Sequence, residues 1–103
     1  MANRKKILQI LQEDNGKYDF TRGDVTDGKN GRCAWGLVLS RYGWDGLDHA
    51  TLGFETSRVR AVLDLDCSRS GYDDDIYHMV KINNESNDWI ETIEKLKGNW
   101  KVK

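Results

Sequence analysis

Cys33, His78 and Asn83 are the residues of this 103-residue chain whose types and order could do chemistry. The run Gly31-Arg32-Cys33-Ala34-Trp35-Gly36-Leu37 places the cysteine where an extended segment gives way to a helix. A helix N-terminus stabilises a thiolate, so a thiol there is positioned to ionise and attack. His78 downstream could take its proton and Asn83 could orient the imidazole, the division of labour of a thiol hydrolase. The same position equally suits a small buried residue that lets a helix pack closely on the segment before it. Because His78 falls in a predicted helix rather than in a strand, the non-catalytic reading is favoured, and Cys33, His78 and Asn83 stand as the catalytic alternative.

Other site chemistries find less support. His49 and His78 are the two histidines, and neither lies at metal-ligand spacing from Cys33 or Cys67. The segment from Asp64 to Asp75 has the length of a calcium loop, but its glycine is Gly71 rather than the sixth position, and Asp75 stands where a closing glutamate belongs. Gly28-Lys29-Asn30-Gly31 lacks the spacing and the Lys-Ser/Thr end of a phosphate-binding loop. We therefore expect neither a metal nor a cofactor. Of the four tryptophans, Trp35 and Trp89 fit core positions. Tyr42, Trp44 and Trp100 are the candidate binding aromatics, since exposed Trp and Tyr anchor many protein interfaces.

These residues must be held by a small scaffold. A chain of this length is a single domain with one modest core. Its 38% hydrophobic and 32% charged content predicts a thin core under a very polar surface. Residues 3–14 read as a helix with Asn3 as cap and Ile7, Leu8, Ile10 and Leu11 as its apolar stripe. Residues 17–21 alternate as a half-buried strand would, and Asp27-Gly28 and Asn30-Gly31 are turn signals, so a β-hairpin leading into Cys33 is expected. A second helix follows over 33–42, ended by Gly43. Residues 43–55 read as irregular, with Trp44, Leu47, Leu52 and Phe54 as loop anchors. Ser57 caps a third helix to about residue 66, with Val59, Val62 and Leu63 inward. Asp73, Asp74 and Asp75 open a fourth, with Ile76, Met79 and Val80 inward, ending near Asn83-Asn84. Ser86 or Asn87 caps the last, with Trp89, Ile90, Ile93 and Leu96 buried and Gly98 as its stop. The expected fold class is α+β: a mainly helical single domain of four to five short helices packed on an N-terminal hairpin.

Phe20-Thr21-Arg22-Gly23, the Asp/Gly-rich turn, Cys33-Ala34-Trp35-Gly36-Leu37 and Asn83-Asn84 together resemble a family of small uncharacterised phage and bacterial proteins. That family shows an aromatic-Thr-x-Gly, a short insert, a Cys-x-x-Gly opening a helix, and an Asn-Asp near the C-terminus. Phe20 stands here where the family has Trp, and Asn84 where it has Asp. The resemblance implies a phage or mobile-element origin rather than a reaction. Cys33-Ala34-Trp35-Gly36-Leu37-Val38 also has some likeness to the cysteine-bearing helix of papain-like and cell-wall amidase thiol hydrolases.

The formal net charge is -1, which gives no sign of a polyanion-binding protein as a whole. Acids gather in the middle, while the ends carry Arg4, Lys5, Lys6 and Lys95, Lys97, Lys101, Lys103. Those cations would meet on one face if the terminal helices pack together, which keeps a nucleic-acid or nucleotide binder as a third reading. Neither a leader peptide nor a membrane span is read from the sequence, and the expected location is the cytoplasm with free thiols. The leading expectation is an accessory protein that binds and modulates a host protein without catalysis.

Overall fold

Ile7, Leu8, Ile10 and Leu11 recur along one side of α1 (Arg4–Asp14), and all four are buried. The computed structural model describes residues 4–47, 49–64 and 75–101. The apolar stripe of α1 packs on α2 (Ala34–Arg41) and α5 (Trp89–Trp100). Helix α4 (Asp75–Asn84) packs on α2 and α5, while α3 (Leu52–Leu63) touches α2. Helix α2 is the centre: every residue from Ala34 to Leu39 is buried, as expected of a helix covered all round. Arg41 closes its far end against α1, with Nη1 3.0 Å from Asp14 and Nη2 3.3 Å from Glu13.

Capping explains two of the helix starts. The Cys33 sulfur accepts the Gly36 N–H at 3.5 Å, and Asp88 accepts the Glu91 N–H at 2.8 Å. Asp88, rather than Ser86 or Asn87, is thus the cap of α5, and the helix runs past Gly98 to Trp100. Helix α3 begins at Leu52, not after Ser57, because the turn His49–Thr51 leads straight into it. The expected cap at Asn3, the acids Asp73 and Asp74, Cys67 and most of the Asp64–Asp75 segment lie outside the described residues.

The expected hairpin is replaced by a parallel pair. Strands β1 (Asp19–Phe20) and β2 (Gly31–Arg32) run in the same direction, with Asp19 opposite Gly31 and Phe20 opposite Arg32. The chain between them reverses twice. Gly23 (φ 87°) and Gly28 (φ 81°) sit at the bends, in a backbone region that favours glycine. Thr26 lies between these bends and pairs antiparallel with Arg32. One reversal makes a hairpin; two restore the original heading. Asp27 Oδ1 braces the second bend by accepting the N–H groups of Lys29 at 2.8 Å and Gly31 at 2.9 Å. Those donors hold its carboxyl below the usual carboxylate range.

The loop then lies on the central helix. The Val25 carbonyl accepts the Cys33 N–H at 3.1 Å and sits over Gly36, where any Cβ would collide with its oxygen.

Four apolar residues expected to point inward face solvent instead. Val62 is exposed because α3 has a narrow seam, burying Val59 and Leu63. Ile90 lies about 100° round the helix from Trp89 and misses the seam of Trp89, Thr92, Ile93, Leu96 and Trp100. Leu47 and Phe54 do not anchor a loop on the core: both project outward, and Phe54 belongs to α3.

Candidate functional site

The Cys33 segment meets the end of α4 through two asparagines. Asn83 is fully buried, and its carboxamide serves two other elements at once. Its Oδ1 accepts the Ala34 N–H at 2.9 Å, one of the donors that a helix N-terminus leaves unpaired, and its Nδ2 donates to the Thr21 carbonyl at 2.8 Å. Asn84 Oδ1 accepts the Gly23 N–H at 2.9 Å, and Arg22 Nη1 donates to the Ser86 carbonyl at 3.2 Å. The Trp89 indole donates to the Tyr18 carbonyl at 3.0 Å, with Phe20 edge-on to the Trp89 ring at 5.2 Å. Thr21-Arg22-Gly23, Cys33 and Asn83-Asn84, far apart in the chain, therefore form one joint.

A recess of about 160 Å³ opens at this joint, lined by Gly23, Asp24, Val25, Cys33, Val80 and Asn84. Asp24 on its rim stands 3.5 Å from His49 Nε2. Cys33 is 2% exposed, and burial pushes its thiol up from the ordinary value, outweighing the Gly36 and Trp35 N–H groups that would favour the thiolate. His78 lines a different recess with Lys81, Ile82, Glu85 and Asn99. On α4 it is turned roughly 120–160° from Val80 and Asn84. Asn83 is committed to Ala34 and Thr21 and does not orient an imidazole. Cys33 and Asn83 are thus brought together and His78 is not, so the three form no catalytic trio.

The state of Cys33 is testable. The native thiol should react with iodoacetamide far more slowly than the unfolded chain at neutral pH, and a rate equal to the denatured one would contradict its burial. The pH dependence has a definite sign. The folded state holds the thiol proton above its ordinary value of 9.0. The stability this contributes is complete below that value and declines as pH rises beyond it, as a denaturant series between pH 7 and 10 would read.

The three candidate binding aromatics are not surface anchors. Trp44 is 5% exposed and Trp100 is 6% exposed, while Tyr42 is half-buried against the core. A cation covers each tryptophan. Arg4 lies over the Trp100 ring at 5.5 Å, and Arg32 lies between Tyr18 at 4.8 Å and Trp44 at 5.9 Å. Tyr42 gives its carbonyl to Arg58 Nη2 at 2.6 Å. Neither Arg32 nor Asn83 was singled out as structural by residue type alone. Asn83 did carry a signal: it follows Met79 by four and Ile82 by one, a core position of α4, where a carboxamide must find buried partners.

The exposed apolar residues lie elsewhere. Phe54 is 72% exposed and turned away from Val59 and Leu63 on α3, Val62 is 57% exposed at the flank of that buried seam, and Leu47 in the preceding loop is 58% exposed. No group of three or more metal-ligating side chains occurs among the described residues, and none of the helices there is long and apolar enough to cross a membrane. No protein-family model, curated protein or solved structure matches this chain.

Proposed function

We propose that this chain is a non-catalytic accessory protein of phage type that acts in the host cytoplasm by docking a host protein and modulating it. The observation that supports this is the outward face of α3, where Phe54 and Val62 stand in solvent on a helix that buries Val59 and Leu63. Phe54 and Ala61, seven residues apart, lie about 20° from one another round the helix, with Val62 flanking them. The surface offered for docking is therefore α3, in place of Tyr42, Trp44 and Trp100. A mobile-element origin rests on the likeness of the joint residues to the phage and bacterial family described above.

Affinity capture from host lysate by wild type and by Phe54→Ser/Val62→Ser tests the reading. Wild type should retain a defined protein that the double variant loses by at least about tenfold, the effect of removing a hot spot of ~1.4 kcal/mol or more. Identical captured sets, or an empty one for wild type, would overturn it.

A further inference from the structure

The first turn of α1 and the last turn of α5 lie side by side, because Arg4 of the one covers Trp100 of the other at 5.5 Å. Packing of the terminal helices thus brings Arg4, Lys5 and Lys6 of α1 beside Lys101 at the end of α5. In the sequence, residues 1–12 and 95–103 contain no acid. All of the acids lie between residues 13 and 94, so a net charge of -1 conceals an uneven spread along the chain.

Some of these cations are neutralised locally. Arg4 pairs with the buried Asp75 at 2.8 Å, Lys95 with Glu91 at 2.9 Å, and Lys97 reaches Glu94 at 4.0 Å. Lys5, Lys6 and Lys101 have no carboxylate within ion-pair distance among the described residues, and Lys5 and Lys101 are exposed. We infer that this end of the α1/α5 pair binds the phosphodiester backbone of duplex nucleic acid through Lys5, Lys6 and Lys101, without reading sequence.

Two features select that partner. Anchoring in a lipid surface needs an apolar side chain beside the cations. Among the described residues the exposed large apolar side chains are Leu47, Phe54, Val62, Tyr77 and Ile90, none of them in the first turn of α1 or the last turn of α5. Binding to single strands relies on stacking of bases on open aromatic rings, and Trp100 at this end is covered. What is left is charge alone, which a duplex meets with about one phosphate per 1.7 Å of axis. This surface is separate from the α3 face, and its failure or success leaves the protein-docking reading untouched.

Fluorescence anisotropy with a labelled random-sequence duplex of some two helical turns is the test, alongside single-stranded oligonucleotide and phosphatidylserine vesicles. Three cations give a slope of about -2.7 in log K against log salt, an affinity loss of about 40-fold between 50 and 200 mM. Lys5→Gln/Lys101→Gln should reduce that loss to about 3.5-fold, the value for one remaining cation. Both side chains are exposed, and an unchanged thermal melt verifies the fold. Phe54→Ser/Val62→Ser should bind the duplex as wild type does. Absence of duplex binding at 25 mM salt, tighter binding to the vesicles or the single strand, or equal salt dependence in the double-lysine variant would each overturn the inference.

Discussion

Arg32→Lys is expected to lower the free energy of unfolding by about 3 kcal/mol, through lost hydrogen bonds to a buried guanidinium and lost ring contacts. Arg32 is 5% exposed, and no carboxylate partners it among the described residues; its charge is held by oxygens. Nε donates to Ser40 Oγ at 3.0 Å, Nη1 to the Gly31 and Lys29 carbonyls at 2.8 and 3.0 Å, and Nη2 to the Asp45 carbonyl at 3.2 Å. Nη1 also reaches Thr26 Oγ1 at 3.3 Å. The planar fork spans β2, the double-bend loop, α2 and the Asp45 segment in a single group. An ammonium has three donors around one atom and cannot reach all of them, nor can it lie flat between Tyr18 and Trp44. Thermal melting should fall by on the order of 15 °C for a domain of this size. A fall of under ~1 kcal/mol in chemical denaturation would show that water replaces the lost contacts and that Arg32 is not the tie described.

Asn83→Leu should cost a similar amount, about 3 kcal/mol, for a different reason. Leucine keeps the branching of asparagine at Cγ but puts two bulkier methyl groups where the oxygen and nitrogen stood, so some overpacking adds to the loss. The Ala34 N–H and the Thr21 carbonyl both lose their side-chain partner in a place where Asn83 itself is fully buried. Leaving each such group unsatisfied costs about 1–3 kcal/mol. Asn84→Ala is the internal comparison: Asn84 is exposed, its one bond to the Gly23 N–H can pass to water, and the loss should stay under ~1 kcal/mol. Equilibrium denaturation of both variants decides the point. Equal losses at 83 and 84, or a small loss at both, would remove the assigned role of Asn83 as the brace of the α2 N-terminus.

Much of the helical frame was legible. Apolar spacing places α1 and α2, with Cys33 where the extended segment gives way to α2, because these are local effects of period. Trp35 and Trp89 were legible as core for the same reason. The double bend was not. Asp27-Gly28 signals a reversal, but a second bend at Gly23 shows only in the paired backbone, and the number of reversals decides between hairpin and parallel pair. Trp44 and Trp100 looked like surface aromatics because the arginines that cover them come from distant parts of the chain. Of the candidate site, Asn83 is expected to orient the His78 imidazole; its carboxamide instead joins Ala34 N–H to the Thr21 carbonyl, a long-range contact that residue type and order do not reveal. The outward face of α3 is hidden in the sequence because Ser57 has the residue type of a cap, and a helix starting there excludes Phe54.

Gly36 sets the interests of one helix against those of the whole fold. Alanine at that position would suit α2 by itself, by up to about 1 kcal/mol. It would also push away the Val25 carbonyl and, with it, the loop that the Cys33 N–H and Arg32 hold in place. A redesign that improved the chain one helix at a time would make that change early and lose the double bend. Position 36 thus marks the limit of local optimisation here: the sequence tolerates a worse helix because the neighbouring backbone occupies the space a better one would need.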